Sequence, residues 1–150
     1  MCRILCDTCA LIWLSTGDAK LSRAARAAMR DAELLCFSSI SIWEIARKVK
    51  TGELELPVTP TLFADMLERL YGMKELPLDN VVMLRASSLP EIHKDPADRF
   101  IIATAFLNDC VVATGDRRFP EYGVEVVMYP RYSGGAVCGT HPAAASERSR

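Results

Sequence analysis

The chain has few of the residues on which several large enzyme classes depend. It has only two histidines in 150 residues, His93 and His141. It has no glycine-rich phosphate-binding loop, and no serine or cysteine lies in a nucleophile-elbow motif. An aspartyl phosphatase would carry a second acid two positions after Asp7, where this chain has Cys9. These absences argue against P-loop nucleotide binding, hydrolase triads and phosphoaspartate chemistry.

Charge of one sign and long hydrophobic runs are also missing. The formal net charge is −1, so any nucleic-acid contact must use local basic patches. No run approaches the roughly 18 apolar residues of a membrane span, and no secretory signal pattern is present. Cys6 and Cys9 have redox or zinc spacing, but no second Cys or His pair accompanies them. We therefore expect a reduced, cytoplasmic chain with no membrane partner.

Apolar runs alternate with helical patterns, which predicts an α/β fold with a parallel sheet. The predicted strands are 3–7, 34–38, 75–78, 111–114 and 124–128, and the predicted helices are 10–15, 22–31, 41–52, 59–70, 81–88 and 95–107. Ser22, Thr59 and Asp95 are expected to cap helices, and Gly52 to end one. Composition divides the chain into a domain at 1–130 and a flexible tail at 131–150.

Four acidic residues occupy positions where this fold would bring them together. Asp7 and Asp116 follow predicted strands, while Glu44 and Asp98 lie near the starts of predicted helices. In a parallel α/β sheet, strand carboxyl ends and the starts of the following helices share one edge, where ligands collect. Two carboxylates about 4 Å apart repel by roughly 4 kcal/mol at an effective dielectric near 20. Hard divalent cations commonly offset such repulsion.

Each acid also has a structural interpretation. Ser41 and Glu44 fit a capping box, and Glu44 could pair with Lys48 one turn later. Asp7 and Asp116 could be turn residues. Asp98 shares a helix face with apolar residues, where a carboxylate needs a partner or a metal. His93 is expected to be a surface residue rather than a substrate contact.

The same residues resemble the PIN-domain family of metal-dependent ribonucleases, and above all its VapC-type toxins. The resemblance rests on five blocks in register, at residues 5–14, 38–45, 52–57, 93–99 and 113–119. It implies a three-layer domain with a central parallel sheet of four to five strands flanked by helices. It also implies that Asp7, Glu44, Asp98 and Asp116 form a catalytic pocket for Mg²⁺ or Mn²⁺. Thr114, Asp95, Arg99 and Arg47 are candidates for supporting the acids or contacting substrate.

The implied activity is hydrolysis of RNA to 5′-phosphate and 3′-hydroxyl products by the toxin of a toxin–antitoxin pair. The implied partners are the RNA substrate, a cognate antitoxin protein and a second copy of the chain in a homodimer. Two alternatives remain, an inactive PIN-type RNA-binding domain and a metal-dependent hydrolase of small phosphoesters. The bound ion would activate water and stabilise the leaving oxygen, with Glu44 or Asp98 assisting deprotonation.

Basic and apolar residues around the acids are candidates for partner contacts. The basic candidates are Arg47, Lys48, Lys50, Lys94, Arg99, Arg117 and Arg118, of which Lys50 and Arg118 are expected to be ordinary solvated charges. The helix at 62–70 is a candidate contact surface. Trp13 and Trp43 are expected in the core. Cys9, beside Asp7, is expected to make the pocket sensitive to oxidation.

Overall fold

The computed structural model of the chain describes residues 2–128, and its central layer is a five-stranded parallel sheet. The strands are β1 (Arg3–Cys6), β2 (Leu34–Ser38), β3 (Lys74–Leu76), β4 (Val111–Thr114) and β5 (Val126–Met128). Their order across the sheet is β3-β2-β1-β4-β5, and every neighbouring pair is parallel. The predicted parallel sheet of four to five strands is confirmed.

Helices cover both faces of this sheet. They are α1 (Thr8–Thr16), α2 (Arg23–Asp31), α3 (Ser39–Thr51), α4 (Pro60–Arg69), α5 (Asn80–Ser87) and α6 (Pro96–Asn108). Successive side chains of β1 point to opposite faces and enter two separate cores. Ile4 packs in a core with Ile45 and Leu67, whereas Leu5 packs in a core with Ile101. The predicted three-layer α/β architecture is therefore confirmed.

The helix starts follow side-chain chemistry that is readable in the sequence. Ser22, Thr59 and Asp95 each accept a backbone N–H from the first turn of their helix, as predicted. Gly52 ends α3 with φ +80°, a conformation that an L side chain rarely adopts. Within residues 2–128, none of the helices is long and apolar enough to cross a membrane.

Several predicted boundaries were wrong. Helix α1 begins at Thr8 because Asp7 caps it, two residues before the predicted start. Helix α3 begins at Ser39 because Ser38 accepts the N–H of Ile40, so Ser41 is not the cap. Strands β3 and β5 are shorter than predicted, and a 3₁₀ turn at Pro120–Tyr122 was not predicted. The predicted tail at 131–150 lies outside the described residues.

The order of the strands creates a crevice at one edge of the sheet. From β1 the chain builds outward through β2 and β3 on one side, while β4 and β5 lie on the other. The winding direction therefore reverses between β1 and β4, and such reversals open a crevice beyond the strand carboxyl ends. Asp7 directly follows β1 and donates its N–H to Ala113 of β4 at 3.0 Å. Asp116 lies two residues beyond the end of β4.

Candidate metal centre

The fold brings the four acids named from the sequence to this crevice. Asp7 ends β1, Asp116 follows β4, Glu44 lies on α3 and Asp98 lies in the first turn of α6. Asp7 and Glu44 are each 7% exposed. The side chains of Asp98 and Asp116 are 23% and 24% exposed. Asp98 experiences the negative charge of the other three acids, so the four carboxylates form one electrostatic unit.

Asp7 and Glu44 are held by neutral hydrogen-bond donors. Asp7 Oδ1 accepts the backbone N–H of Ala10 at 2.8 Å. Thr8 Oγ1 lies 2.6 Å from Glu44 Oε1 and 3.0 Å from Ser41 Oγ. Thr8 has one hydroxyl hydrogen, and the shorter contact to a carboxylate assigns that hydrogen to Glu44, so Ser41 donates to Thr8. We call Asp7, Thr8, Ser41 and Glu44 the hydroxyl half of the site.

This network replaces the capping box expected for Glu44. Ser38 caps α3, and Ser41 lies within the helix, fully buried. The carboxylate of Glu44 therefore does not need to satisfy the start of its helix. It faces the carboxyl end of β1, where the Thr8 hydroxyl meets it.

Asp98 and Asp116 are joined by an imidazole. His93 Nε2 lies 3.0 Å from Asp98 Oδ2 and 2.8 Å from Asp116 Oδ2. His93 is 2% exposed, so the expectation of a surface histidine was wrong. The ring is buried because it packs edge-on against Phe119, with centroids 6.0 Å apart. We call His93, Asp98 and Asp116 the imidazole half of the site.

Arg118 also contacts this half. Its Nε and Nη2 atoms approach the two Asp116 oxygens at 3.1 and 2.8 Å, and its backbone N–H donates to Oδ1. Although partial burial alone raises it, hydrogen bonds from Arg118 and His93 lower the pKa of Asp116 to about 2. The expectation that Arg118 is an ordinary solvated charge was therefore wrong.

Asp98 has the opposite electrostatic setting. Burial, followed by the charges of Asp95, Glu44, Asp7 and Asp116, raises the pKa of Asp98 to about 7. The cluster thus destabilises its own ionised form. A divalent cation among these oxygens would remove that penalty, and carboxylate oxygens are the ligands that Mg²⁺ and Mn²⁺ prefer. The residues present therefore fit a hard divalent ion.

Three supporting candidates lie behind the acids. Thr114 is fully buried and accepts the backbone N–H of Asp116 at 3.0 Å, so it shapes the turn that presents Asp116. Asp95 caps α6 and adds negative charge near Asp98. Arg99 donates to the carbonyls of Pro90, Ala86 and Leu89 at 2.8–3.0 Å. Arg99 therefore braces the segment between α5 and α6 rather than facing the crevice as a free cation.

Helix α3 carries the remaining candidates beside Glu44. Arg47 is exposed, and its guanidinium lies 5.6 Å from the ring centroid of Trp43. Trp43 is 58% exposed, so the expectation of a core tryptophan was wrong for this residue. Trp13 is partly buried against the first core, close to its expected place. The positive charge of Lys48 favours the thiolate of Cys9, and Asp7, Glu44 and Asp98 act on the same thiol, so the charge of Lys48 lies near the acids.

Cys6 and Cys9 do not lie together in one redox or zinc site. Cys6 is fully buried in the sheet, whereas Cys9 is exposed on α1, and both carry free thiols. Although Cys9 is exposed as a residue, its thiol is partly buried, and this burial, followed by the charge of Asp7, raises the pKa of Cys9 to about 11. Because the thiolate is the reactive form, this shift argues against facile oxidation of Cys9 at neutral pH.

Sequence reasoning missed the two side chains that orient the acids. Thr8 follows Asp7 directly, but its partner Glu44 lies 36 positions away. His93 precedes the α6 cap by two residues, but its two carboxylate partners come from α6 and the β4 edge. The one signal in the sequence was a histidine two residues before the predicted cap Asp95, and its local sequence is typical of a loop.

Comparisons with known proteins agree with this architecture. The PIN domain family matches residues 4–125. Ribonuclease VapC22 of Mycobacterium tuberculosis is 29% identical over 119 residues, which are 79% of this chain and 90% of that protein.

Solved structures show the same fold. The structure of VapBC2 from Rickettsia felis bound to a promoter DNA fragment superposes with a TM-score of 0.62 at 9% identity, over 85% of this chain and 99% of that one. FitAcB from Neisseria gonorrhoeae superposes with a TM-score of 0.59 at 23% identity, over 82% and 95%. With the family match covering most of its length, the chain belongs to the PIN domain family.

Proposed function

We propose that this protein is a ribonuclease that depends on Mg²⁺ or Mn²⁺ and acts as the toxin of a toxin–antitoxin pair. The observation that carries the proposal is the charge cluster at the sheet edge. Four acids from distant parts of the chain converge there, and their mutual repulsion helps to raise the pKa of Asp98 to about 7. The family and the relative named as a ribonuclease supply the reaction class.

Asp7, Glu44, Asp98 and Asp116 are the residues that would hold the ion. When bound, the ion would supply positive charge that activates water and stabilises the leaving oxygen of the phosphodiester. Glu44 is kept in position by Thr8, and Asp116 by Arg118 and His93. Burial and the neighbouring acids raise the pKa of Asp98 to about 7 in the ion-free protein, so it is our candidate for exchanging a proton with the attacking water.

RNA must approach an acidic crevice, so cations around it are needed to bind the phosphates. Arg118 binds Asp116 directly, and the charge of Lys48 acts on the thiol of Cys9 beside the site. Exposed Arg47 and Trp43, on the helix of Glu44, offer a charge beside an aromatic face. Aromatic faces and basic side chains together bind single-stranded nucleic acid by stacking and charge. We propose Lys48, Arg47 and Arg118 as RNA contacts.

The primary test is cleavage of labelled single-stranded RNA by the purified protein. We expect cleavage with Mn²⁺ or Mg²⁺ and none with EDTA. Asp7→Asn and Asp98→Asn should each reduce the rate at least about 100-fold, since even groups that only support metal ligands contribute 10–100-fold. Both amides can keep the hydrogen bonds that the carboxylates accept, so the fold should survive. Circular dichroism checks that point.

A matched control is Asp31→Asn, which changes an exposed aspartate of α2 whose side chain is 70% exposed. It should cleave at the parent rate. Cleavage at the parent rate by Asp98→Asn would end the proposal. Binding of RNA with no metal-dependent cleavage would favour an RNA-binding domain. Hydrolysis of an aryl phosphate with no RNA cleavage would favour a small-phosphoester hydrolase.

The toxin role requires an antitoxin, and two helices offer a surface for one. Trp43 on α3, Leu62 on α4 and Leu70 after α4 are 58%, 46% and 70% exposed. Helices α3 and α4 contact each other, and apolar side chains on adjoining helices are typical of interaction sites where they form a continuous patch. One solved structure with the same fold is a toxin–antitoxin complex from Klebsiella pneumoniae. We propose that an antitoxin segment covers this surface in the cell.

We also propose a homodimer, and a second exposed apolar surface is available for it. Val81, Met83 and Leu84 on α5 are 58%, 43% and 70% exposed. Light scattering on the purified chain should report twice the monomer mass, and Leu84→Glu should return it to the monomer mass. A monomeric parent protein at micromolar concentration would rule out the dimer.

A further inference from the structure

We propose that His93 is a positioning residue that donates its Nε2–H to Asp116, close beside Asp98, and does not itself ligate the metal ion. The inference rests on the proposed metal centre and deepens it. It assigns the imidazole, which lies among candidate ligand atoms, to the hydrogen-bonded support of the site.

The tautomer of His93 follows from a backbone contact. The N–H of Asp95 approaches His93 Nδ1 at 3.1 Å. A backbone N–H can only donate, so Nδ1 must accept with its lone pair and the ring hydrogen resides on Nε2. Nε2 is the atom that faces Asp98 Oδ2 and Asp116 Oδ2. It therefore meets Asp116 as a hydrogen-bond donor, while Asp98 Oδ2 lies 3.0 Å from the same nitrogen.

This tautomer argues against metal ligation by His93. Its Nε2, Asp98 and Asp116 offer atoms within 4.8 Å of one another, a spacing that could hold an ion. A nitrogen that carries hydrogen, however, has no lone pair for a metal. Histidine ligands usually donate their second N–H to a carboxylate or carbonyl, which leaves the other nitrogen free for the ion. In His93 the second nitrogen accepts instead, so the pattern is reversed.

The surroundings hold the imidazole from several sides. The backbone N–H of His93 donates to the Tyr122 hydroxyl at 2.6 Å. The guanidinium of Arg99 lies 3.5 Å from the His93 carbonyl and binds the carbonyl of Pro90 in the same segment. Phe119 packs edge-on against the ring. These contacts fix where Nε2 points before any ion arrives.

The consequence is a defined separation between two candidate ligands. Nε2–H binds Asp116 Oδ2 and the same nitrogen lies 3.0 Å from Asp98 Oδ2, so the imidazole links the β4 edge to the start of α6. Unlike Arg118, a neutral imidazole brings no positive charge that would compete with a cation. His93 therefore brings the two acids together without neutralising them.

The tautomer can be tested by nitrogen NMR on metal-free protein labelled at histidine, at pH 8. We expect His93 Nδ1 to have the chemical shift of an unprotonated nitrogen, and Nε2 that of a nitrogen with hydrogen. His93→Gln identifies the signals, because His141 then remains alone. A ring that carries its hydrogen on Nδ1 would overturn the inference. This measurement does not depend on nuclease activity.

The positioning role is tested by Mn²⁺ titration followed by electron paramagnetic resonance. His93→Leu should weaken Mn²⁺ binding by about 10–100-fold. His93→Gln should lose less, because its amide N–H₂ still donates. Pulsed spectra of parent protein should show no ¹⁴N coupling to Mn²⁺. A coupling that disappears in His93→Gln would mean that His93 ligates Mn²⁺. Equal Mn²⁺ affinity in His93→Leu and His93→Gln would remove the positioning role.

The two proposals can fail separately. Tight Mn²⁺ binding that weakens in His93→Leu, with no RNA cleavage by the parent, would refute the nuclease and support the positioning role. RNA cleavage by the parent, with Mn²⁺ affinity unchanged in His93→Leu, would support the nuclease and refute the positioning role. Thermal unfolding of each variant shows whether the fold is kept, and the NMR measurement on parent protein requires no variant.

Discussion

The two halves of the acidic site are built with different donors. In the hydroxyl half, Asp7 and Glu44 are 7% exposed and are held by a backbone N–H and a threonine hydroxyl. In the imidazole half, Asp98 and Asp116 are about a quarter exposed, and both lie against the imidazole Nε2, which donates its N–H to Asp116. Asp116 additionally pairs with Arg118, whose side chain is 52% exposed. The donors described for the buried half are neutral, while the more open half meets a cation of the protein itself.

This difference suggests a division of labour. Burial of two carboxylates raises the free-energy cost of their charge, which a bound cation would offset. Asp116 has hydrogen bonds to both of its oxygens already. We infer that the hydroxyl half contributes more to ion binding and that the open half also orients groups that meet the substrate.

The largest expected effect comes from changing one acid in each half. Asp7→Asn should reduce RNA cleavage at least about 100-fold, whereas Asp116→Asn should reduce it about 10-fold. The reason is that the Asp116 oxygens are already engaged by Arg118 and His93. Single-turnover cleavage with saturating Mn²⁺ measures both rates. Equal losses would mean that the two halves do the same work.

The next effect comes from removing the hydroxyl that holds Glu44. Thr8→Val should lower the cleavage rate about 10-fold and the free energy of unfolding by about 1.5–3 kcal/mol, because a buried hydrogen bond to a charged group is lost. Thr8→Ser keeps the hydroxyl and should retain most of the cleavage rate and most of the free energy of unfolding. Urea unfolding and cleavage rates are the measurements. A Thr8→Val protein as active as Thr8→Ser would show that Thr8 only packs.

A smaller effect concerns the pH dependence of stability without metal. The pKa of Asp98 is about 7 in the folded protein and about 3.9 in an unfolded chain. Between these values the folded state holds more protons at Asp98, so this group lowers stability as pH rises from about 4 to 7. Asp116, with its pKa lowered to about 2, acts oppositely below about pH 4.

Asp98→Asn isolates that contribution. In EDTA, the melting temperature of the parent should fall between pH 5 and pH 7.5 by about 3 °C more than that of the variant. Mn²⁺ should stabilise the parent more than the variant at pH 7.5. Parallel melting curves for the two proteins across this range would contradict the raised pKa of Asp98.

The smallest effect comes from the exposed cation of the imidazole half. Arg118→Gln should weaken binding of single-stranded RNA a few-fold and reduce the salt dependence by about one phosphate contact. Lys50→Gln, on the exposed end of α3, is the matched control and should change neither. Binding is measured in Ca²⁺ at several salt concentrations. Identical salt slopes for the two variants would remove Arg118 from the interface.

Much of the fold was readable locally. The alternation of apolar runs with capped helical patterns predicted the α/β fold with a parallel sheet, and Ser22, Thr59, Asp95 and Gly52 marked helix ends as expected. These signals work because a capping side chain and a helix turn interact within a few residues. Ser41 failed as a cap because Ser38 satisfies the same requirement three residues earlier.

The sequence by itself determined the fold class and the four acids at the carboxyl edge of the sheet. It did so because strand ends and helix starts in a parallel sheet share that edge by construction. Only the tertiary structure decided what holds each acid. Thr8 meets Glu44 across 36 residues, and His93 meets Asp116 across 23. Such contacts depend on strand order and on burial, which no local pattern contains, and the same is true of the exposure of Trp43.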